Sequence, residues 1–267
     1  ALPEGIVLDG EILPWKDDEV LAFAQLQRRI GRKTIGKKLL EEVPVVLLCY
    51  DLLEFGGEDM RQKELRFRRE KLIETIARLP QDSQKTLIYA PTVKAESWKQ
   101  LAEIRGESRK RKVEGFMLKR LGSPYRVGRP RGDWWKWKIE PLTIDAVMIY
   151  AQRGSGKRAS LYTDYTFAVW HNGELVPFAK AYSGLTDKEI RKVDNFVRRN
   201  TLETFGPVRS IAPKLVFEVG FEGIQKSSRH KSGVAVRFPR ILRWREDKKP
   251  EDADTLDRIH AMLEAEN

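Results

Sequence analysis

Hydrophobic and polar positions follow two different patterns along the chain, and the change falls near Pro141. Before it, short apolar runs predict strands, and charged stretches with a helical spacing of apolar residues predict helices. The predicted strands lie at 6–8, 45–52, 86–90, 113–120 and 134–139. The predicted helices lie at 60–79 and 94–104, after an amphipathic stretch at 17–30. This alternation of strand and helix predicts a mixed α/β domain.

After Pro141 the apolar positions alternate with polar ones, as they do in half-buried strands. The predicted strands lie at 144–152, 162–170, 175–183, 214–220 and 235–238. One capped helix is predicted at 186–200, and the acidic tail at 250–266 is helix-like. Several short strands with one helix predict a small closed barrel of the oligonucleotide-binding type. We therefore expect an α/β domain over residues 1–140 and an all-β barrel over residues 141–267.

The composition limits the class of protein. The chain has 267 residues, of which 41% are hydrophobic, and this is enough for a sizeable core. No apolar run approaches the roughly 20 residues that a membrane span requires. The single cysteine, Cys49, has no partner in the sequence for a disulfide or a thiolate metal site. These features favour a protein of a reducing cytoplasm with no membrane partner.

Positive charge is concentrated in one segment. The formal net charge of +11 favours a polyanionic partner, because basic residues that neutralise phosphates release counterions. From Arg105 to Lys138 the chain carries many basic residues and few acids, with aromatic residues between them. This pattern is typical of a phosphate-binding surface, although a solvated charged face has the same composition. The candidate DNA contacts are Arg109, Lys110, Arg111, Arg126 and Arg129, with Lys157 and Arg158 in a basic loop of the barrel.

Two short segments place carboxylates where a nucleotide could bind. Residues 8–11, Leu-Asp-Gly-Glu, would put a carboxylate at the rim of a pocket, and an ordinary Asp-Gly turn is the alternative. Residues 114–119, Glu-Gly-Phe-Met-Leu-Lys, put Glu114 and Lys119 on opposite faces of a strand, and Gly115 would let a ligand approach closely. A carboxylate and an ammonium in one segment suit a metal-bound phosphate, whereas a surface strand is the alternative.

Two further segments are dense in cations. Residues 135–138, Trp-Lys-Trp-Lys, point both lysines to one face of a strand, while Trp135 and Trp137 should anchor the other face in a core. Residues 237–248 set cations between apolar residues. Such a stretch binds polyphosphate or nucleic acid unless it is only a basic tail.

In this order the segments resemble the later motifs of the covalent nucleotidyltransferases, and most closely those of ATP-dependent DNA ligases. Residues 8–11 resemble the third motif, and residues 48–53, Leu-Cys-Tyr-Asp-Leu-Leu, resemble the aromatic-Asp motif that follows it. Residues 114–119 and 135–138 resemble the fourth and fifth motifs, and residues 245–248, Arg-Glu-Asp-Lys, resemble the sixth. The resemblance covers essentially the whole chain and implies a nucleotidyltransferase domain followed by an oligonucleotide-binding barrel.

The resemblance also implies roles for individual residues. The implied catalytic residues are Glu114, Lys136, Lys138, Arg245, Asp247 and Lys248. The implied nucleotide ligands are Glu11, Tyr50 and Lys119, and the implied ligands of Mg²⁺ or Mn²⁺ are Glu11 and Glu114. Tyr50 would stack on adenine, and a buried strand tyrosine is the alternative. Lys136 and Lys138 would lie at the α-phosphate of ATP.

The family reaction begins when the lysine of a first motif, Lys-x-Asp-Gly, attacks ATP and forms a lysyl-adenylate. AMP then passes to the 5′-phosphate of a nick, and the 3′-hydroxyl displaces it from this DNA-adenylate. Nothing before Leu8 matches the first motif, so we expect an N-terminally truncated domain that does not adenylate itself. The resemblance implies a monomeric parent enzyme that seals nicked duplex DNA in the bacterial cytoplasm or nucleoid, in repair, replication or recombination.

Two alternatives share part of this pattern. An RNA ligase or a capping guanylyltransferase has the same order of motifs. The broad basic segment favours a DNA ligase, as does a match over residues 216–248 to a bacterial subgroup implicated in repair. The second alternative is a non-catalytic module that binds nucleic acid through its barrel.

Overall fold

The computed structural model describes residues 2–128 and 130–265. The chain divides between Ile139 and Glu140 into two compact units. Each unit buries a hydrophobic core of its own. Among the described residues, no helix is both long enough and apolar enough to cross a membrane.

The first unit mixes strands and helices, as the sequence predicts. Its strands are β1 (Val7–Lys16), β2 (Glu19–Val20), β3 (Val45–Phe55), β4 (Glu58–Asp59), β5 (Leu87–Tyr89), β6 (Gly115–Lys119) and β7 (Trp134–Lys138). Its helices are α1 (Phe23–Gln27), α2 (Lys37–Glu42), α3 (Leu65–Ala77), α4 (Gln81–Gln84) and α5 (Trp98–Gly106). The helix expected from residue 60 begins only at Leu65, because Met60 is a buried core residue at the end of the β3–β4 hairpin.

A five-stranded sheet forms the body of the first unit. Four strands have the order β2-β1-β3-β4, and β5 pairs with β3 in parallel. Strand β1 continues through residues 8–11, where Asp9 lies opposite Asp51 and a bulge follows before Gly10. The alternative of an Asp-Gly turn at this point is therefore wrong, and Asp9 and Glu11 are strand residues beside β3.

A buried ion pair joins α3 to β3 next to Tyr50. Arg68 donates from Nε to Oδ1 of Asp51 across 2.7 Å and from Nη2 to Oδ2 across 2.8 Å, and both side chains are fully buried. Arg68 Nη1 also donates to the carbonyl oxygen of Ser123 across 3.1 Å. A buried pair of this kind has its charges compensated in place. It fixes the segment after β6 against the main sheet.

Strands β6 and β7 form a separate two-stranded ribbon. Lys119 lies opposite Trp134, Met117 opposite Lys136, and Gly115 opposite Lys138. Because residues directly opposite each other share a face, the three lysines and Trp134 project from one side of the ribbon. The other side carries Phe116, Leu118, Trp135 and Trp137.

The prediction that Trp135 and Trp137 both anchor a core is wrong for Trp135, which is 49% exposed. Trp137 packs edge to face against Trp98 of α5, with the ring centroids 5.8 Å apart. Arg105 of α5 lies over the same ring, 4.9 Å from its centroid. Helix α5 therefore covers the ring of Trp137, whereas the ring of Trp135 remains open to solvent.

The backbone conformation and the neighbouring strand both require glycine at position 115. Its φ of +132° is accessible to few residues with a side chain. A Cβ at this position would also lie 2.3 Å from the carbonyl oxygen of Trp137. The glycine is thus required by the approach of β7 itself, and the predicted close approach of a ligand stays a prediction.

The second unit is built mainly of strands. They are β8 (Leu142–Arg153), β9 (Tyr162–His171), β10 (Glu174–Ala181), β11 (Thr201–Phe205), β12 (Val208–Ile211), β13 (Val216–Phe221), β14 (Gly223–Lys226), β15 (Val234–Arg237) and β16 (Arg240–Trp244). Its helices are α6 (Asp187–Arg199) and α7 (Leu256–Ala265), with 3₁₀ turns at Gly156–Arg158 and Pro250–Asp252.

Strand β8 organises the second unit. It pairs with β9 along one edge and with β12 and then β13 along the other, and β16 continues from β13. The curled sheet encloses Ile144, Phe167 and Phe217, which are fully buried. This architecture confirms the oligonucleotide-binding barrel. The barrel is partly open rather than closed, since no ladder among the described strands joins β10 to β11 or β16.

The helix predicted at 186–200 is confirmed with its cap. Thr186 precedes α6, and its side chain accepts a hydrogen bond from the amide of Glu189, whose carboxylate accepts from the amide of Thr186. The buried face of α6 carries Ile190, Val193 and Val197. The three residues are spaced three and four positions apart, as one face of a helix requires.

Candidate nucleotide-binding site and barrel cation cluster

Carboxylates from β1 and an aromatic ring from β3 lie side by side in the first unit. Asp9 and Glu11 on β1 border Tyr50 on β3, and both carboxylates raise the pKa of the Tyr50 hydroxyl, after the larger effect of its burial. The hydroxyl of Tyr125 donates to Oδ2 of Asp9 across 2.8 Å. Burial and this bond raise the pKa of Tyr125 to about 12, so the phenol stays protonated as a donor at neutral pH. Asp9 is thus held by a neutral donor.

The ammonium of Lys119 lies between two aromatic rings. Its Nζ is 4.6 Å from the ring centroid of Tyr50 and 4.0 Å from that of Trp134. Both distances are within the range of cation–π attraction. Burial lowers the pKa of this ammonium, although Asp51 and Asp9 partly offset the effect. The side chain of Lys119 therefore joins the ribbon of β6 and β7 to Tyr50 of the main sheet.

Lys119 Nζ is a buried atom that finds no hydrogen-bond acceptor in the described part of the chain. An ammonium has three donors, and leaving all of them unsatisfied in a buried place is costly. The site thus lacks an acceptor that a bound nucleotide would supply. Together with the stacking surface of Tyr50, this open donor fits ATP.

Lys136 and Lys138 lie on the same face of the ribbon as Lys119. Lys136 is exposed, while Lys138 forms an ion pair with Glu114 at 2.7 Å. The predicted grouping of the two lysines on one face is borne out by the strand register. Their contact with phosphate stays a prediction.

The residues assigned to a metal do not form a metal site by themselves. Glu114 is engaged with Lys138, and Glu11 is exposed on β1. Within residues 2–128 and 130–265, no three His, Cys, Asp or Glu side chains are grouped closely enough to hold an ion. The site therefore fits ATP better than it fits a metal held by protein alone.

The sixth-motif residues form a cluster on the barrel. Arg245 donates to both carboxylate oxygens of Asp247, from Nε at 2.9 Å and from Nη2 at 2.7 Å. This pairing lowers the pKa of Asp247 to about 2 and raises that of Arg245 further above its ordinary value. Arg245 Nη1 and Lys248 Nζ each donate to Oδ2 of Asp145, both at 2.7 Å. Asp145 on β8 is the residue that brings the motif together.

The candidate DNA contacts are spread over both units. Arg109, Lys110 and Arg111 lie in the turns after α5, where Arg111 pairs with Glu107 at 2.7 Å. Lys157 and Arg158 lie in the first 3₁₀ turn of the barrel, which is exposed.

Arg126 lies in the connection between β6 and β7. It pairs with Asp133 at 2.8 Å and lines, with Arg61 and Tyr125, a cavity of about 510 Å³. Arg129 lies outside the described residues. That these seven basic residues contact DNA stays a prediction.

Several residues of the two sites were missed by sequence reasoning. Tyr125 and Trp134 stand in the basic segment, and nothing in their spacing indicates Asp9 or Lys119 as neighbours. Asp145 could have been found, because it is the one charged residue inside a long apolar run, Ile144 to Ala151. A lone carboxylate in a buried strand needs a partner, and its partners here are the sixth-motif cations.

Two family models match the chain. The model described as "ATP dependent DNA ligase domain" matches residues 1–138, and the one described as "ATP dependent DNA ligase C terminal region" matches residues 158–248. A "Probable DNA ligase" of Koribacter versatilis is 39% identical and matches 100% of this chain and 49% of its own length. "DNA ligase 1" of Korarchaeum cryptofilum is 34% identical over 97% of this chain and 47% of its own length. The chain thus spans about half the length of these curated relatives.

Solved structures show the same fold. One described as "DNA binding with a minimal scaffold: Structure-function analysis of Lig E DNA ligases" covers 89% of this chain and 76% of its own, with a TM-score of 0.61 and 18% identity. Another, "Pmar-Lig_Pre.", covers 90% of this chain and 51% of its own, with a TM-score of 0.68 and 17% identity. With a family model over residues 1–138 and a second on the barrel, the chain belongs to the ATP-dependent DNA ligase family.

Proposed function

We propose that this chain supplies the nucleotide-binding and barrel part of an ATP-dependent DNA ligase that seals nicks in duplex DNA. The observation that carries the proposal is the buried ammonium of Lys119, which lies against Tyr50 without a hydrogen-bond acceptor among the described residues. The family uses ATP, whose adenine offers an aromatic face for Tyr50 and whose nucleoside offers acceptors for Lys119. We assign residues 1–140 to the adenylation domain and residues 141–267 to the barrel.

The residues around Tyr50 would bind ATP in a defined division of roles. Tyr50 stacks on the base, and Lys119 donates to an acceptor of the nucleoside. Lys136 and Lys138 neutralise charge at the α-phosphate, for which Lys138 exchanges its contact with Glu114 for a phosphate oxygen. Mg²⁺ or Mn²⁺ would take most of its ligands from phosphate and water, which is usual for nucleotide-bound Mg²⁺, with Glu11 or Glu114 as a single protein ligand.

ATP supplies the adenylate that activates the 5′-phosphate at the nick. The protein's own contribution is to hold the phosphates in place and to offset their negative charge, because phosphoryl transfer depends mainly on positioning and electrostatics. Lys136 and Lys138 act at the α-phosphate, whereas Arg245 and Lys248 act on the departing pyrophosphate. We also propose that nicked duplex DNA binds along the exposed cations Lys110, Lys157 and Arg158, and that the parent enzyme works as a monomer.

ATP binding by the 267-residue chain tests the first half of this proposal. We expect Tyr50→Ala to weaken ATP binding by about 1–3 kcal/mol, the range for loss of an aromatic stack on a base. Lys85→Ala is the matched control, since Lys85 is an exposed lysine of the same unit that pairs with Asp82. Equal affinity of Tyr50→Ala and the unchanged chain for ATP contradicts the assigned site.

Sealing assays test the second half. The chain is extended upstream until it carries a Lys-x-Asp-Gly motif and is offered a nicked DNA duplex and a nicked RNA duplex with ATP. Faster sealing of DNA supports the proposal, and preference for RNA points to an RNA ligase. Binding of duplex DNA with no ATP binding and no sealing identifies a non-catalytic module.

A further inference from the structure

Asp145 holds two cations of the barrel on a single oxygen. Arg245 Nη1 and Lys248 Nζ each lie 2.7 Å from Asp145 Oδ2, so they are at most twice 2.7 Å apart. Two positive groups at this separation repel each other, and an anion between them offsets the repulsion by attracting both. Within the described residues, the ammonium of Lys248 forms no hydrogen bond or ion pair with any other side chain, so without this carboxylate it would turn toward solvent. The spacing of the pair therefore depends on Asp145.

The backbone of Asp145 fixes the position of this carboxylate. Its amide donates to Oδ2 of Asp254 across 2.8 Å, and its carbonyl oxygen accepts from the amide of Asp254, also across 2.8 Å. Both bonds tie β8 to the segment before α7. The carboxylate consequently projects from a rigid strand and not from a loop, which is the better support for a precise site.

The burial of Asp145 is expensive for the fold itself. The residue is only 9% exposed, and its Oδ1 accepts no hydrogen bond within the described residues. A buried carboxylate with only one of its oxygens hydrogen-bonded stabilises the fold poorly. An apolar residue would pack at this position with a smaller cost in free energy. Its use therefore lies in what it does to Arg245 and Lys248.

We infer that Asp145 is a positioning residue for the adenylation step: it holds Arg245 and Lys248 at the spacing that grips the departing pyrophosphate. This inference rests on the proposed function. The ammonium of Lys248 has three donors and gives one to Asp145, which leaves two for phosphate oxygens. Arg245 is held from a second side by Asp247, so its guanidinium plane is fixed. Asp145 acts through these cations and touches no reacting atom.

Asp254 provides a control that separates positioning from folding. Its side chain accepts from the backbone amide of Asp145 and pairs with Arg258 at 2.6 Å, and within the described residues it forms no hydrogen bond or ion pair with Arg245 or Lys248. Asp254→Asn keeps an oxygen that can accept from the amide of Asp145 and loses the charge that pairs with Arg258, so it should reduce the stability of the barrel while leaving the cation pair in place. Asp145→Asn keeps the shape of the side chain and removes its charge, so it serves beside Asp145→Ala should the alanine variant fold poorly.

The first measurement uses the 267-residue chain and needs no activity. In nitrogen-15 spectra recorded in mildly acidic, cold buffer, the Lys248 ammonium should give a separate, slowly exchanging signal in the unchanged chain and in Asp254→Asn. In Asp145→Ala and Asp145→Asn, we expect this signal to merge with those of the solvated lysines. A Lys248 signal that is the same in all four chains overturns the positioning role.

The second measurement uses the upstream-extended protein with a plain nick and ATP, and with a pre-adenylated nick. We expect both Asp145 variants to slow sealing of the plain nick by up to about 100-fold, the effect of a small misplacement of a catalytic group. Sealing of the pre-adenylated nick should change little. Equal slowing of both substrates overturns the inference. If the unchanged extended protein seals neither nick, the proposed function fails, and the spectra of Lys248 still decide whether Asp145 positions it.

Discussion

The hydroxyl of Tyr125 and the carboxylate of Asp9 meet across 2.8 Å although 116 positions separate them in the sequence. This bond joins the first strand of the main sheet to the connection between β6 and β7. The bond places the ribbon of β6 and β7 beside Tyr50, and the arrangement of the candidate ATP site depends on this placement.

Replacing Tyr125 with Phe removes the donor and keeps the ring against Trp134. We expect the free energy of unfolding to fall by about 1.5 kcal/mol, because the lost hydrogen bond is one to a charged group. ATP binding should weaken as well, because the ribbon of β6 and β7 is then held less firmly against the main sheet. Chemical denaturation and ATP titration measure the two effects. Unchanged stability with unchanged ATP affinity contradicts the role given to this bond.

Replacing Lys119 with Met separates binding from stability. Methionine has a similar length and carries no charge, so the variant loses the cation–π contacts but also the cost of burying an ammonium. We expect these two effects to offset each other within about 1 kcal/mol of unfolding free energy, whereas ATP binding weakens severalfold. Lys85→Met is the control for a lysine that is exposed. A large loss of stability without a change in ATP affinity means that Lys119 is a structural residue.

Asp247 should remain ionised well into acid. Its pKa is about 2 in the folded chain against an ordinary value of 3.8, mainly because of the hydrogen bonds from Arg245. A lowered pKa means that the pair contributes stability above pH 3.8, and that this contribution is lost as the pH falls through about 2. The carbon-13 shift of the Asp247 carboxylate should therefore stay constant from neutral pH to about pH 3. In Arg245→Ala the midpoint should move up toward the ordinary value, and a normal midpoint in the unchanged chain contradicts the pairing.

DNA binding by the 267-residue chain should be electrostatic and weakly sequence-dependent. Reversing the exposed charge of Lys110 with Glu should lower the affinity for duplex DNA and reduce the slope of log affinity against log salt by about 1. Lys85→Glu is the matched control. Fluorescence anisotropy over a range of salt concentrations gives both quantities. An affinity that is independent of salt and of Lys110 refutes the assigned surface.

Lys248 and Lys136 should affect different steps in the upstream-extended protein. Lys248→Ala removes a positive charge from the site of the leaving group, and loss of such a contact costs about 100-fold or more in rate. The loss should appear with a plain nick and ATP, and should be small with a pre-adenylated nick. Lys136→Ala should slow both reactions, because the α-phosphate takes part throughout. Single-turnover rates on the two substrates compare the variants, and equal impairment of both by Lys248→Ala means that the assigned division of labour is wrong.

Local patterns predict much of this structure. The capped helix predicted at 186–200 locates α6 to within a residue, and alternation in residues 135–138 places Lys136 and Lys138 on one face. These features depend on neighbours in sequence. The exposure of Trp135 was missed because it depends on how far α5 extends over the ribbon, which is a property of packing.

The candidate site depends on contacts that no local pattern contains. The burial of Lys119 against Tyr50 requires two separate sheets to meet, and the spacing of residues along either strand does not indicate it. The link from Asp145 to Lys248 spans 103 positions and belongs to the same class of contact. The resemblance to ligases identified Arg245 and Lys248 as motif residues. Only the structure identified Asp145 as the carboxylate that holds them.

The ribbon of β6 and β7 shares no ladder with another strand among the described residues, and this has a consequence for local unfolding. A two-stranded hairpin is only marginally stable by itself, so these strands should open as one small cooperative unit held by Trp98, Tyr125 and Arg68. Amide protons of β6 and β7 should exchange with deuterium sooner than those in the middle of β3. A nucleotide that bridges Tyr50 and Lys119 would close this unit, and slower exchange along both strands would then report occupancy of the site.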